Sequence, residues 1–125
     1  MGKIVILDGK TVSKGDVNLS MFSELGELVV YEEELEAAGA DVAERVHDAE
    51  YILCNKVVLN ESNLKDANKL KFIGLFATGY NNIDIAYCAK RDIVVANAGS
   101  YSTEAVAQHT FALILNHYSS ISKYE

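Results

Sequence analysis

Proline is absent from this sequence of 125 residues, and cysteine occurs only twice. Average usage would place about six prolines in a chain of this length, but their absence alone points to no function. Cys54 and Cys88 are too far apart to form a C-x-x-C pair, which argues against a redox or metal site. We therefore expect two reduced, mostly buried thiols in a cytoplasmic protein.

Positive charge and long hydrophobic runs are also scarce. The chain has 11 Lys and Arg residues against 18 Asp and Glu residues, a net charge of -7. This balance argues against general binding to nucleic acid or to an anionic membrane, although it leaves room for a local positive spot. No window approaches the ~20 apolar residues of a membrane-spanning helix, and the apolar run near Met1 is too short for a signal peptide. We expect neither nucleic acid nor membrane as a partner.

Short apolar runs rich in β-branched residues recur along the chain and predict buried strands. The predicted strands span 3–7, 27–31, 51–55, 71–77 and 93–97. Helical spacing of apolar residues predicts helices between and after them, at 19–25, 40–48, 60–67, after residue 82, and at 102–117. Gly26 is the expected stop of the first helix, and Gly39 interrupts any longer second one. Asn60 is the expected cap of the third helix, and Asn81 or Asn82 that of the fourth.

The alternation of strands and helices predicts the fold class. The strands are near-continuous apolar runs, as in a parallel sheet covered on both faces. We therefore predict an α/β protein with a flavodoxin-like, doubly wound, five-stranded parallel sheet in the order 2-1-3-4-5. No linker, repeat or low-complexity tract interrupts the chain, so residues 1–125 are expected to form a single domain.

Ligands of such sheets bind beyond the carboxyl ends of the strands. Four loops are predicted there: 8–10, 55–56, 77–81 and 97–100. In the third loop, Gly79 could adopt positive φ and bring backbone N–H groups close to an anion. The helix start after Asn82 would add a positive dipole end, and Lys56 would add charge. Alternatively, Gly79 only makes a turn, the asparagines only cap, and Lys56 is only solvated; Asp8 needs no role beyond ending its strand.

Other common site signatures are missing from the sequence. No G-x-G-x-x-G or G-x-x-x-x-G-K-[ST] is present, so the chain lacks a dinucleotide fingerprint and a P-loop. A phospho-receiver domain would place an Asp at the end of strand three, where this chain has Cys54-Asn55. His47, His109 and His117 lie at no ligand spacing from a cysteine or carboxylate, so we expect no metal site.

Three stretches carry a resemblance to a known family: ILDG near the start, DAEYILCNKVVLNESNL, and LKFIGLFATGYNNIDIAYCAKRDIVVANAGSYSTEAVAQHTFALIL. Their order and spacing resemble the N-terminal part of D-2-hydroxyacid dehydrogenases, in particular the glycerate dehydrogenase and hydroxypyruvate reductase branch. The resemblance implies a flavodoxin-like substrate lobe, which in the family faces a Rossmann lobe that binds NAD(H) or NADP(H).

The resemblance also implies a site. The loop Ala77, Thr78, Gly79 and Tyr80 would offer backbone amides to the carboxylate of a small 2-hydroxy or 2-oxo acid, bound weakly if at all. Asn55 and Lys56 would lie on the rim of the same cleft. These six are the candidate substrate-binding residues; no catalytic, cofactor-binding or metal-binding residue is assigned.

The sequence departs from the family in ways that bear on activity. The family's catalytic Arg, Glu and His, and its glycine fingerprint, lie in or after the Rossmann lobe, and His109 and His117 do not match the catalytic histidine. Ala98 follows Asn97 where the family often has a proline. We expect the chain alone to bind no cofactor and to be inactive, as a truncated substrate lobe. The alternative is a non-enzymatic or engineered flavodoxin-like scaffold or dimerisation domain.

The last predicted helix, at 102–118, bears on the oligomeric state. Its large apolar residues lie on more than one face. We expect it to fold back on the sheet of a monomer, and a homodimer through this helix is the alternative.

Overall fold

A computed structural model of the chain describes residues 1–32, 40–120 and 123–124. Its strands are β1 (Lys3–Ile6), β2 (Glu27–Val30), β3 (Tyr51–Cys54), β4 (Phe72–Leu75) and β5 (Val94–Ala96). Its α-helices are α1 (Gly9–Val12), α2 (Ala40–Val46), α3 (Glu61–Leu64), α4 (Ile85–Lys90) and α5 (Thr103–Ser119), and a 3-10 helix spans Leu19–Glu24.

The strands form one sheet of the predicted kind. Within the described residues they run parallel in the order β2-β1-β3-β4-β5. Ile52 of β3 lies beside Val5 of β1 and Ile73 of β4, so the apolar runs meet in the centre of the sheet. The predicted fold class and strand order are confirmed. All carboxyl ends lie along one edge, which places the loops after β1, β3, β4 and β5 side by side.

One face of the sheet carries the core. Val5, Ile52 and Ile73 are fully buried there and pack against residues of α2, α3 and α4, such as Val42 and Leu64. The other face is covered only in part among the described residues. Val94 of the edge strand β5 is 60% exposed. The expectation of cover on both faces therefore fails at this end of the sheet.

Several local predictions need correction. The loop expected at 8–10 contains α1, a single turn in which the N–H of Ser13 donates to the oxygen of Gly9. The helix predicted at 19–25 is a 3-10 helix. Asn60 caps α3 as expected, through its side chain and the N–H of Ser62. The expected interruption at Gly39 lies outside the described residues.

Helix α5 does not fold back on the sheet, so that expectation is wrong. None of its residues is buried, and Phe111 and Leu115 are 65% and 60% exposed. Its apolar residues lie on every side, so no single face matches the sheet. Despite this apolar character, none of the helices in the described part of the chain is long and apolar enough to span a membrane.

Candidate functional site

The loop after β3 is fixed by a buried carboxylate. Asp8, at the end of β1, is 1% exposed. Its Oδ1 accepts from the backbone N–H of Asn55 at 2.8 Å, and its Oδ2 accepts from that of Lys56 at 2.7 Å. A carboxylate can be buried at this depth because backbone donors replace its water. The backbone N–H groups of Asn55 and Lys56 are therefore already used.

Only the side chains of these two residues remain for a ligand. The Nδ2 of Asn55 donates to Oγ1 of Thr11 at 3.1 Å, and that hydroxyl donates to the backbone oxygen of Asp8. Lys56 is exposed, and its ammonium makes no hydrogen bond or ion pair with any residue that the structure describes. Lys56 thus offers an available positive charge at this edge of the sheet.

The loop after β4 is held by its carbonyl groups. The oxygen of Ala77 accepts from the N–H of Ala98 at 3.0 Å, and the oxygen of Thr78 accepts from Nδ2 of Asn97 at 2.7 Å. No peptide bond of the described residues is cis. In a trans peptide the N–H points away from the C=O of the same plane. The N–H groups of Thr78 and Gly79 are therefore directed away from the β5 loop, towards the side where β3 ends.

These two N–H groups are available as donors. The backbone amides of Thr78 and Gly79 donate to no acceptor among the described residues, and both residues are exposed. The N–H of Phe76, just before them, donates to the oxygen of Cys54 at 2.9 Å, which keeps the β4 loop beside the β3 loop. Two free amides and the Lys56 side chain thus belong to neighbouring loops.

Two details of the predicted anion loop are wrong. Gly79 does not have positive φ; among the described glycines, Gly15 and Gly99 do. The start of α4 is also not available to an anion. Its cap is Asp84, whose Oδ1 accepts from the N–H of Tyr87 at 2.9 Å. Asn82 instead donates its Nδ2 to the oxygen of Val57 at 2.8 Å, so it ties the β4 loop to the segment after β3.

The thiols have no place in this site. Burial, reinforced by the negative charge of Asp8, raises the pKa of Cys54 to about 12. Burial also raises the pKa of Cys88, and the Asp84 carboxylate adds to that effect. Both thiols are free and stay protonated at neutral pH, which makes them poor nucleophiles and metal ligands. His47, His109 and His117 are exposed, and the described residues contain no cluster suited to a metal ion.

Two pockets of the described residues lie away from the two amides. A pocket of about 370 Å³ lies between α4 and β5, and its lining includes Tyr80 and Asn97. A groove of about 910 Å³ lies between the 13–20 loop and β2, and its lining includes Lys10, Lys14, Asp16 and Glu32. Because the groove contains both positive and negative side chains, its charge favours neither an anionic nor a cationic ligand. The donors between the β3 and β4 loops are an open, surface site suited to a small anion.

Sequence reasoning finds the loops but misses the residues that hold them. The six candidates, Asn55, Lys56, Ala77, Thr78, Gly79 and Tyr80, lie at the ends of the adjacent strands β3 and β4. Asp8 and Asn97 were not among the candidates. A polar residue directly after an apolar strand was the available signal for both, because such a residue at the carboxyl edge can reach a neighbouring loop.

Comparison with known proteins gives consistent matches. A family model described as D-isomer specific 2-hydroxyacid dehydrogenase, catalytic domain, matches residues 4–120. A hydroxypyruvate reductase from Blautia hydrogenotrophica is 34% identical over 113 residues, which are 90% of this chain and 35% of that protein. A glyoxylate reductase from Pyrococcus furiosus is 32% identical over 98 residues, which are 78% of this chain and 29% of that protein.

A solved structure agrees with these matches. A D-lactate dehydrogenase from Aquifex aeolicus, complexed with NAD and lactic acid, superposes with a TM-score of 0.70 at 28% identity, over 91% of this chain and 33% of that one. The chain spans about a third of the length of the curated relatives that it matches.

Proposed function

Because the chain belongs to the D-isomer specific 2-hydroxyacid dehydrogenase family, as a part of its catalytic domain, we propose that its β3–β4 edge binds the carboxylate of a small 2-hydroxy or 2-oxo acid. The observation that carries this proposal is the pair of unsatisfied N–H groups at Thr78 and Gly79, together with the unpaired Lys56 on the neighbouring loop. Backbone donors with a nearby cation form a usual cradle for a small anion.

The other candidates would shape the same site. Ala77 lacks a long side chain and leaves the approach to the amides open, while Tyr80 is 55% exposed beyond them. The side-chain oxygen of Asn55 would face the rest of the ligand, because its Nδ2 is already bonded to Thr11. The site is open to water, so we expect weak binding of the acid, with dissociation constants in the millimolar range or above.

Among the described residues, the loops after β1 and β3 do not fit a nicotinamide dinucleotide. A dinucleotide site needs a glycine-rich turn between a strand and a helix of some length, with N–H groups free for the pyrophosphate. Here α1 is four residues long, and the buried carboxylate of Asp8 occupies the amides at the neighbouring β3 end. We therefore propose that this chain alone holds no NAD(H) or NADP(H) and catalyses no hydride transfer. A mixture of the chain, NADH and hydroxypyruvate should show no loss of nicotinamide absorbance above the protein-free rate, and enzyme-dependent oxidation would contradict this.

An NMR titration tests the binding proposal. Addition of glycerate or hydroxypyruvate to the ¹⁵N-labelled chain should shift the amide resonances of Thr78 and Gly79. Lys56→Met should weaken binding about threefold to tenfold, because it removes one charge-assisted contact. Lys65→Met is the matched control, since Lys65 is also exposed but lies at the end of α3. Shifts spread evenly over the chain, or none at high millimolar acid, would count against the site.

A second role, dimerisation through α5, is favoured by a separate observation. The chain exposes 8428 Å². A compact monomer of 13.7 kDa should expose about 6,600 Å². The wholly exposed α5 contributes to this excess of about 1,800 Å², which is larger than the roughly 800 Å² that each partner buries in a standard interface.

The geometry of α5 suggests how a second copy would be bound. Ala107, Phe111, Ile114 and Tyr118 follow one another at spacings of four, three and four residues, which forms a stripe along one side of the helix. Phe111, Ile114 and Tyr118 are 65%, 45% and 83% exposed. We propose that two copies pair through this α5 stripe, which would cover its three large exposed apolar side chains with an identical set.

A further inference from the structure

We propose that Asn97 is a positioning residue that aims the amides of the carboxylate site. This inference rests on the proposed function above and names a residue that directs its donors without touching the ligand. Asn97 follows β5 directly, and its Nδ2 donates to the oxygen of Thr78 at 2.7 Å. This is a side-chain bond that bridges the loops after β5 and β4, across 19 residues of sequence.

The direction of the Gly79 N–H follows from this bond. The Thr78 oxygen and the Gly79 N–H belong to the same trans peptide plane and point in opposite directions. As long as Asn97 holds the oxygen on the β5 side, the N–H must face the β3 side. The adjacent plane is held in the same sense by the Ala98 N–H on the Ala77 oxygen. The N–H groups of Thr78 and Gly79 are thereby oriented in the same direction. Each is oriented by a hydrogen bond to the carbonyl oxygen of its own peptide plane.

The bond also changes the strength of the donor. A peptide whose oxygen accepts a hydrogen bond is polarised, so its N–H becomes a better donor. The Asn97 amide therefore both orients and polarises the Thr78–Gly79 peptide. A side-chain tie matters here because Thr78, Gly79 and Asn97 are all exposed, and water competes for an unrestrained peptide.

The loop after β3 offers no backbone donors of Asn55 or Lys56 to a ligand, which makes the orientation of the Thr78–Gly79 peptide important. Asp8 already accepts from the N–H groups of Asn55 and Lys56, so those amides cannot serve an external anion. The N–H groups of Thr78 and Gly79, whose planes are held by Asn97 and Ala98, are free donors on the neighbouring loop. If the Thr78–Gly79 peptide turned over, its oxygen would face the site and repel a carboxylate.

The test compares Asn97→Ala with wild type in the free and the acid-bound state. In the free wild-type chain, a through-hydrogen-bond coupling should join Nδ2 of Asn97 to the carbonyl carbon of Thr78. In Asn97→Ala, the amide nitrogen of Gly79 should shift upfield, because the peptide loses its polarising partner. Asn68→Ala is the matched control. Asn68 is exposed just before β4, near the amino ends of the strands, and its side chain bonds to none of the described residues.

Binding gives the second readout. The affinity for glycerate should fall about threefold to tenfold in Asn97→Ala and stay at the wild-type value in Asn68→Ala, with unchanged melting temperatures in both. Restoration of the affinity by Asn97→Gln would support a role of the side-chain amide itself. Wild-type affinity in Asn97→Ala would overturn the inference. If wild type itself binds no acid, the proposed function fails, and the free-state spectra still decide: an unmoved Gly79 resonance overturns the positioning role, and a shifted one supports it.

Discussion

The carboxylate of Asp8 and the backbone of Lys56 are joined at 2.7 Å across 48 residues of sequence. This contact links the end of β1 to the loop after β3 and leaves the Lys56 ammonium outside, in water. The negatively charged Asp8 thus orders the loop that carries the positively charged Lys56 side chain. The two N–H groups that donate to the carboxylate partly offset its negative charge, while the Lys56 ammonium stays exposed.

Loss of the Asp8 carboxylate should destabilise the fold. Asp8→Ala leaves two backbone N–H groups without their acceptor, at a cost of about 2–3 kcal/mol in the free energy of unfolding. Asp8→Asn keeps one acceptor and should lie between this variant and wild type. Asp66→Ala is the control, since Asp66 is an exposed carboxylate whose side chain bonds to no described residue. Urea unfolding measures all three, and an Asp8→Ala value within about 0.5 kcal/mol of wild type would contradict the role of the bond.

Substitution of Gly79 should separate binding from stability. A Cβ added there would lie 3.4 Å from Oδ1 of Asn81, an ordinary contact distance, and φ is not in the left-handed region. Gly79→Ala should therefore unfold within about 0.5 kcal/mol of wild type. The added methyl crowds the free N–H, so acid affinity should fall about tenfold. Thr78→Ala, which keeps the amide and loses only the side chain, should bind nearly as wild type does; equal loss in both variants would argue against recognition by the backbone.

Alkaline pH should weaken the fold through Cys54. Its thiol pKa is 9.0 in an exposed setting and is raised to about 12 here, chiefly by burial. Below the lower value the thiol is protonated in both states, and the full stability is present. Between the two values the unfolded chain loses the proton while the folded chain keeps it, so unfolding becomes easier by up to about 1.4 kcal/mol per pH unit.

Comparison with Cys54→Ala isolates this effect from other groups that titrate at high pH. The variant should be less stable than wild type at pH 7, because it leaves a small cavity, yet it should lose less stability as the pH rises. Urea unfolding at a series of alkaline pH values measures both slopes. Parallel curves for the two proteins would show that the Cys54 proton is not coupled to folding.

The α5 stripe should control self-association. Phe111→Ser combined with Ile114→Ser should convert a concentration-dependent dimer into a monomer, while the stability of the sheet stays the same because neither side chain is buried. Leu113→Ser is the control, since Leu113 is 58% exposed but lies on another side of the helix. Light scattering at two concentrations measures the mass. A wild-type monomer throughout, or equal effects of both sets of changes, would remove the stripe as an interface.

The sheet was predictable from sequence because its signal is local. Ile4, Val5 and Ile6, like Ile52 and Ile73, lie in apolar runs whose spacing fixes a parallel α/β order. The cap of α3 was predictable for the same reason, since Asn60 acts within its own turn. The prediction for the cap of α4 is wrong because three polar residues, Asn81, Asn82 and Asp84, precede the helix. Only the fold shows that the Asn82 side chain donates to the oxygen of Val57 instead.

The candidate site was predictable only as loops. Proximity of the β3 and β4 ends follows from strand order, but the direction of a peptide plane does not. That direction depends on Asn97 and Ala98, which are distant in sequence from Thr78. The path of α5 was missed for a related reason: helical spacing predicts the helix, whereas its docking requires a matching surface, which apolar residues on all sides do not define.

The donors directed towards the β3 loop belong to the main chain and not to particular side chains. Every amino acid except proline would present the same N–H at position 78, and the orientation is imposed from Asn97 and Ala98, outside the segment itself. The side chains at positions 78 and 80 can therefore change in size, polarity and charge while the proposed carboxylate-binding geometry stays the same. In a protein with such a loop, single substitutions could change which group is accepted next to the carboxylate of the ligand. The backbone donors to that carboxylate would be kept.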